Sequence, residues 1–270
     1  MTTDEPLPAG LAEHPLDTHA FVVMAHGDSP FLDGCLRSLR AQSLPAKILL
    51  TTSTPSTFIE KTAGEHAVPI TVNDHRGGIA SDWNFALKAT AVRRVTLAHQ
   101  DDVYRPAFLE RSLALLESSE AVMCFTSYQE IDDDGRDTSS KISKVTHLLE
   151  WATLGRRTLI KPAQMRAFLS MGDPLPCSSV TFDRARLNGF EFSSDYDCNL
   201  DWDAWVRLIE EGRSCVRVPE RLVGRRHNPL TATSRLIREG VRQREDLRMF
   251  RRLWPTPLAE VIAFAYRASY

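Results

Sequence analysis

The chain has 270 residues, of which 43% are hydrophobic and 25% are charged, and its net charge at pH 7 is −2. This composition is that of a globular protein with enough apolar side chains for a packed core. The near-neutral charge excludes the overall positive field that general nucleic-acid binding needs, so we expect no nucleic-acid partner.

The cysteines and the N-terminus indicate a cytoplasmic protein. The chain has five cysteines and no Cys-x-x-Cys pair, and this pattern argues against a disulfide framework and fits a reducing compartment. The first residues, Met-Thr-Thr-Asp-Glu-Pro, lack the basic and apolar regions of a signal peptide. No stretch is apolar over the length that crosses a bilayer. We expect a cytoplasmic location, with the inner face of the membrane as the alternative.

Short apolar segments alternate with amphipathic ones after residue 18. The apolar segments predict strands at 20–25, 47–50, 68–72, 94–98 and 121–125. Helical spacing predicts helices that begin at Pro30, near Ile79 and at Pro106. This alternation is typical of a mostly parallel α/β sheet with helices on both faces, in which ligands bind at the carboxyl ends of the strands.

The second half of the chain is less regular. We expect an irregular to helical stretch at 138–176, a strand at 177–182 and a helix at 200–211. Seven arginines then mark a late helical region between residues 235 and 252. The predicted organisation is a flexible N-terminal arm, one α/β domain and a C-terminal helical extension, at 1–18, 19–230 and 231–270.

The fourth predicted strand ends directly in His99-Gln100-Asp101-Asp102. Adjacent carboxylates repel each other, and a divalent cation such as Mg²⁺ or Mn²⁺, which prefers oxygen ligands, removes that repulsion. The alternative is a turn in which an aspartate caps the helix that starts at Pro106. The pair alone does not decide between a metal site and a turn.

Other segments shift the balance towards a metal site. They are Val-Val-Met-Ala-His-Gly-Asp at 22–28, Leu-Asp-Gly-Cys-Leu-Arg-Ser-Leu-Arg-Ala-Gln at 32–42, Gly-Gly-Ile-Ala-Ser-Asp-Trp-Asn at 77–84, Asp-Pro-Leu-Pro-Cys-Ser-Ser-Val-Thr-Phe at 173–182 and Leu-Asp-Trp-Asp-Ala-Trp-Val-Arg at 200–207. In this order they resemble motifs of the family 2 glycosyltransferases, and 99–102 resembles the D-x-D motif of that family in a His-Gln-Asp-Asp form. The resemblance covers roughly 20–227, and it implies a GT-A fold and inverting transfer from a nucleotide-diphosphate sugar.

The resemblance also implies roles for residues on the diphosphate side of the donor. Asp101 and Asp102 fall on the metal-binding acids, and Asp101 is also expected among the donor contacts. His99 falls where the family often has an acid that contacts the ribose. His227 falls on a histidine that reaches the metal or the diphosphate, and Arg226 is expected to bind diphosphate oxygens because guanidinium forks suit them.

The nucleoside side departs from the family pattern. After the second strand the family usually has acidic residues, whereas this chain has Thr-Thr-Ser-Thr-Pro-Ser at 51–56. Hydroxyls can replace some of the missing hydrogen bonds, and Asp74 is expected to take over part of the role. His26 and Asn84 are further expected donor contacts. The expected donor is a UDP- or dTDP-sugar, and the acceptor is a glycan, a lipid-linked molecule or a small molecule.

Asp201 falls on the family's catalytic base, which takes a proton from the acceptor hydroxyl. The alternative reading is a helix N-cap, a role that is compatible with catalysis. Asp203 lies two residues further on and is expected on a different helix face. We expect Trp205 to be a core residue, and Trp202 to be either a core residue or a sugar-stacking one.

These observations predict a metal-dependent inverting glycosyltransferase. One alternative is a non-catalytic, nucleotide-binding relative, which the Thr/Ser loop at 51–56 would favour. A sugar nucleotidyltransferase is less favoured, because no glycine-rich phosphate loop with a basic residue follows the first strand.

The arginines between 235 and 252 allow two interpretations. They could form a weak contact with an anionic membrane or acceptor, or a solvated helix face. We favour the solvated face, because Glu239, Glu245 and Asp246 partly compensate the positive charge. The sequence leaves the oligomeric state open.

Overall fold

The computed structural model describes residues 14–226 and 232–267. Their strands form one sheet. The strands are β1 (His19–Ala25), β2 (Lys47–Thr52), β3 (Ile70–Val72), β4 (Arg94–His99), β5 (Val103–Tyr104), β6 (Met123–Ile131), β7 (Asp137–Thr138), β8 (Leu159–Ile160), β9 (Val180–Asp183) and β10 (Cys215–Arg226).

Helices cover both faces of this sheet. They are α1 (Pro15–Thr18), α2 (Leu32–Arg40), α3 (Thr57–Glu65), α4 (Gly78–Lys88), α5 (Phe108–Glu117), α6 (Lys141–Leu154), α7 (Pro162–Leu169), α8 (Arg184–Leu187), α9 (Leu200–Glu210), α10 (Ala232–Arg238), α11 (Val241–Leu253) and α12 (Thr256–Tyr266), and a 3-10 turn spans Cys177–Ser179. Each helix in the described ranges is too short or too polar to cross a bilayer.

The main path of the sheet runs β3-β2-β1-β4-β9-β6-β10-β5. The strands from β3 to β4 are parallel, β9 is antiparallel to both of its neighbours, and β6 and β10 are again parallel. Since β1, β2 and β4 are parallel, their carboxyl ends meet at one edge. The predicted α/β architecture, a mostly parallel sheet flanked by helices, is confirmed.

Two apolar cores lie on opposite faces of the sheet. One is built on α2, α3 and α5, and the other on α4, α7, α9, α11 and α12. In the second core, Met249 and Phe250 of α11 are as fully buried as Trp202 of α9. The C-terminal helices therefore pack into the same core as the helix that carries the predicted base.

Three elements differ from the sequence prediction. Helix α3 was not expected, and it begins because the Ser56 hydroxyl accepts a hydrogen bond from the Ile59 N–H. The predicted strand at 177–182 starts as a 3-10 turn, and only its last part joins the sheet, where it runs antiparallel. The predicted arm, 1–18, lies mostly outside the described residues, and 15–18 form the short helix α1.

Candidate active site

The carboxyl ends of β1 and β4 are joined by the side chain of Gln100. Its amide accepts a hydrogen bond from the His26 N–H at 3.2 Å and donates one to the His26 carbonyl at 2.8 Å. The imidazole of His26 is left exposed beside this contact. Gln100 therefore fixes the turn that leads from His99 to the two aspartates.

His99, Asp101 and Asp102 form a cluster at the end of β4. Each offers one ligand atom, and these atoms all lie within 4.8 Å of one another. His99 Nε2 is buried and has no hydrogen-bond partner among the described residues. An orphaned nitrogen beside two carboxylates is the donor set that a divalent cation satisfies, so these residues fit a metal such as Mn²⁺ or Mg²⁺.

Asp102 is the buried member of this cluster, with 3% of its surface exposed. Its Oδ1 accepts a hydrogen bond from the Arg226 N–H at 3.0 Å. Burial, together with the charge of Asp101, raises the pKa of Asp102 to about 6. The like-charge repulsion expected from the sequence is therefore present in the folded protein.

Arg225 and Arg226 have opposite roles because neighbouring side chains of a strand point to opposite faces. The Arg226 guanidinium donates to the carbonyls of Asp101 and Asp132 and lies 4.2 Å from the ring centre of Phe31. These contacts engage Arg226 with the protein itself, where it fixes the aspartate turn. They do not support the expected role of Arg226 in direct contact with the diphosphate of the sugar donor.

Arg225 is exposed and lies over the ring of Tyr128, 5.6 Å from its centre. Within the described ranges, no carboxylate lies within ion-pair distance of it. Electrostatic interactions with Tyr128, Asp102 and Asp173 act to raise the pKa of Arg225. Arg225 is thus a cation between the metal-type cluster and the predicted base, whereas the sequence analysis had selected its neighbour Arg226.

The nucleoside side of the edge has an acid that the sequence analysis missed. Asp82 of α4 accepts hydrogen bonds from Ser53 at 2.9 Å and from the buried Asn73 at 2.8 Å. It therefore supplies a carboxylate beside the Thr/Ser loop, which has no acid of its own. Asp74, the expected substitute, is exposed and follows Asn73 in the chain.

Asn84 holds a distant loop. Its amide donates to the Phe192 carbonyl at 2.9 Å and accepts from the Phe192 N–H at 2.7 Å. These bonds anchor the segment that leads into α9. They engage the Asn84 amide with the protein itself and do not support its expected contact with the nucleotide-sugar donor. His227, the further expected metal ligand, lies outside the described residues.

Asp201 and Asp203 lie in the first turn of α9 and face different surroundings. Asp201 is partly exposed, and its Oδ1 accepts a hydrogen bond from the Trp202 N–H at 3.0 Å. Asp203 is buried and forms ion pairs with Arg207 at 2.8 Å and Arg252 at 2.7 Å. Only Asp201 is therefore open to a substrate.

Both tryptophans of α9 are core residues. They are fully buried, and their indole N–H groups donate to the carbonyls of Leu169 and Leu175. The prediction for Trp205 is confirmed, and the sugar-stacking alternative for Trp202 is wrong.

Asp173 is the neighbour of Asp201 that sequence reasoning did not identify. Burial and the Asp201 charge raise the pKa of Asp173 well above its ordinary value, and its carboxyl is within hydrogen-bonding range of Asp201. Its Oδ1 is buried without a protein partner among the described residues. Burial beside Asp201 therefore favours the neutral form of the Asp173 carboxyl. The available signal was an aspartate in an otherwise apolar, proline-rich segment.

Helix α11 fixes the start of α9. The Glu245 carboxylate accepts hydrogen bonds from the N–H groups of Asp197, Cys198 and Asn199, at 2.8, 2.9 and 2.9 Å. The Asn199 amide donates to Asp246 at 2.8 Å. A carboxylate at a helix N-terminus satisfies unpaired N–H groups and complements the helix dipole, so α11 anchors the helix that carries Asp201.

Helix α12 reaches the same region through Tyr266. Its hydroxyl accepts a hydrogen bond from the Asp173 N–H at 3.4 Å. Gly172 makes this approach possible, because a Cβ there would lie 2.6 Å from the Tyr266 ring. Residues far apart in the chain, from 172 to 266, thus surround the predicted base.

The sheet order and the acids at the end of β4 define a GT-A fold. The model of the glycosyltransferase-like family 2 matches residues 15–245. The chain belongs to this family, as the sequence motifs predicted. No curated protein sequence matches the chain.

Several solved structures share the fold at low identity. The mannosyltransferase PcManGT from Pyrobaculum calidifontis, in complex with GDP-Man and Mn²⁺, has a TM-score of 0.62 and 14% identity, over 97% of this chain and 73% of its own. S. aureus TarS 1–349 with UDP-GlcNAc has a TM-score of 0.61 and 12% identity, over 80% of this chain and 60% of the TarS chain. Glucosyl-3-phosphoglycerate synthase from Mycobacterium tuberculosis with UDP has a TM-score of 0.54 and 16% identity, over 84% of this chain and 80% of the synthase chain. This chain aligns to only 37% of a longer TarS chain.

Proposed function

We propose that the chain is a metal-dependent inverting glycosyltransferase that moves a sugar from a nucleoside diphosphate to an acceptor hydroxyl. The observation that carries the proposal is the cluster of His99, Asp101 and Asp102 at the carboxyl edge, with an open Asp201 on the facing helix. Family membership and solved structures of the same fold with bound UDP or GDP-sugar support it.

The donor is held from both ends. Asp101 and Asp102, with His99 or the sequence-predicted His227, would hold a divalent ion, and that ion would neutralise charge on the departing diphosphate. Arg225 donates to diphosphate oxygens, and Arg226 keeps the aspartate turn in place. Asp82, with Asp74 and His26 nearby, faces the nucleoside of a UDP- or dTDP-sugar.

Transfer is one displacement at the anomeric carbon. Asp201 takes the proton of the acceptor hydroxyl as that oxygen bonds to the anomeric carbon. The bond between this carbon and the diphosphate oxygen breaks, and its electron pair leaves with the diphosphate. Because attack and departure occur on opposite sides, the configuration inverts. The raised pKa of Asp173 favours its neutral form, so Asp173 adds no second negative charge beside the base.

Calorimetry tests the metal and nucleotide assignments. UDP, dTDP and GDP are titrated into the protein with Mn²⁺ or with excess EDTA, and we expect tight binding of at least one nucleotide only with Mn²⁺. Asp101→Asn should weaken nucleotide binding and remove the metal dependence. Asp133→Asn, which removes an exposed acid from the turn near Arg226, is the matched control and should bind normally.

Two results would contradict the proposal. Equal nucleotide affinity with Mn²⁺ and with EDTA would exclude the metal assignment. Metal-dependent binding with neither donor hydrolysis nor transfer, across a panel of UDP-, dTDP- and GDP-sugars, would favour the non-catalytic alternative.

A further inference from the structure

Helix α6 carries its apolar side chains on the outside. Ile142, Val145, Leu148 and Trp151 are 45%, 55%, 62% and 69% exposed. Each lies three residues from the next, so successive members adjoin, and the series winds around about half of the helix circumference. Four large apolar side chains in a continuous exposed stripe mark a docking surface more often than a solvated one.

The inward face of α6 is mostly polar, because, of its buried residues Ser143, Glu150 and Leu154, only the last is apolar, whereas an ordinary surface helix buries an apolar face. Glu150 is buried and pairs with Arg217 at 2.7 Å, and the ring of His147 lies 5.5 Å from the ring of Tyr128. The helix is thus held to the protein by polar contacts. Within the described part of the chain, the outward apolar stripe is therefore not part of the protein core.

Basic residues are frequent in α6 and in the segment that follows it. Between 139 and 172 the chain has six Lys or Arg residues and one acid, the buried Glu150, although the whole chain has a net charge of −2. The basic residues are Lys141, Lys144, Arg156, Arg157, Lys161 and Arg166, all exposed and, over the described ranges, without an acid within ion-pair distance.

We propose that α6 and its basic surroundings dock the protein on an anionic membrane surface. The apolar stripe, with Trp151 at its end, enters the headgroup region, while the flanking cations contact anionic lipids. A second copy of the chain is a poorer occupant, because a two-fold contact through α6 would oppose two clusters of positive charge.

The C-terminal helices offer the contrast. Helix α12 also exposes apolar residues, Leu258, Val261 and Phe264, but residues 255–266 contain no Lys or Arg. The arginines of α11 are largely paired, as in Arg248 with Asp195 and Arg251 with Glu260. The membrane contact considered for 235–252 is therefore better assigned to α6.

Docking through α6 would orient the active site. The Tyr128 ring that His147 approaches also lies under Arg225, so α6 borders the cleft. An acceptor carried by the membrane would then meet Asp201 from the α6 side. This consequence rests on the proposed function, whereas the docking itself does not.

Vesicle co-sedimentation tests the docking. The full chain is mixed with vesicles of phosphatidylcholine alone or with added phosphatidylglycerol, at low and high salt. We expect binding only to the anionic vesicles and release at high salt. Lys141→Gln/Lys144→Gln should weaken binding by roughly twenty-five-fold, since each basic residue near such a surface contributes about fivefold. Leu148→Ser/Trp151→Ser should also lose binding.

Val261→Ser/Phe264→Ser on α12 is the matched control, and it should bind vesicles like the wild type. Thermal unfolding and UDP–Mn²⁺ affinity, measured on every variant, should be unchanged, which separates docking from nucleotide binding. Absent binding to anionic vesicles, or an equal loss in the α12 control, would overturn the proposal. So would a concentration-dependent dimer that only the α6 variants abolish, since it would identify a second copy as the occupant.

Discussion

The two sides of the cleft are built in different ways. On the donor side, His99, Asp101 and Asp102 come from one turn that directly follows a buried strand, and Gln100 and Arg226 fix that turn. On the base side, Asp201 sits on a helix whose start is held from α11 and whose acidic neighbour, Asp173, precedes β9.

This difference has a consequence for how substitutions act. The metal-type residues of the donor side lie within one turn, so a change in that turn should affect metal and nucleotide binding without moving the base. The base side depends on contacts between distant parts of the chain, such as Glu245 with 197–199. Changes in α11 should therefore alter turnover while nucleotide affinity stays constant.

The largest effect is expected at Asp201. Asp201→Asn keeps the shape of the side chain and removes the basic oxygen, so kcat should fall about a hundred- to ten-thousand-fold with little change in donor affinity. Single-turnover kinetics and calorimetry with UDP and Mn²⁺ measure the two quantities.

Asp203→Asn is the matched control for Asp201→Asn. Asp203 is buried between two arginines, so the amide should lower the melting temperature and leave the chemical step nearly unchanged at a temperature where the variant is folded. If Asp203→Asn abolishes turnover and Asp201→Asn does not, the base is assigned to the wrong residue.

The contrast between the two sides also explains what the sequence could predict. The donor turn was predictable because Asp101 and Asp102 are adjacent and the preceding apolar run identifies the strand. Asp173 and Glu245 were not, because their roles arise only when β9, α9 and α11 pack together. Asp82 was missed for the same reason, since Ser53 and Asn73 bring it to the end of β2.

A smaller effect, on affinity, is expected at Arg225. Arg225→Gln removes a solvent-accessible guanidinium from the cleft, so the Kd for UDP with Mn²⁺ should rise about tenfold, the typical loss for one charge-assisted hydrogen bond. Arg226→Gln should instead lower the melting temperature, because Arg226 is bonded to the carbonyls of Asp101 and Asp132. Unchanged affinity in Arg225→Gln would remove this residue from the donor site.

Glu245→Gln tests whether α11 positions the base. The neutral amide has no negative charge with which to accept the three N–H hydrogen bonds that the carboxylate accepts. The first turn of α9 should therefore loosen, and kcat should fall by about tenfold. The Kd for UDP with Mn²⁺ should not change, because the donor turn has no contact with Glu245. A parallel loss of nucleotide affinity would mean that the two sides are not independent.

The smallest effect is expected at Asp246, the neighbour of Glu245. Burial raises the pKa of Asp246 from an ordinary 3.8 to about 6, despite the charge of Arg242. Over that pH range the folded protein keeps a proton that the unfolded chain has lost, so the free energy of unfolding falls as the pH rises from about 4 to 6 and is constant above.

Asp246→Asn removes this ionisation and keeps an acceptor for the Asn199 amide. At pH 7 the variant should be as stable as the wild type or a few degrees more stable, about 2–4 °C for each kcal/mol, and the difference should shrink towards pH 5. Thermal unfolding at both pH values checks this, with Glu245→Gln as the comparison. A large loss of stability in Asp246→Asn at pH 7 would mean that Asp246 is ionised and that its pair with Arg242 outweighs burial, so the two adjacent acids of α11 would then hold α9 in the same way.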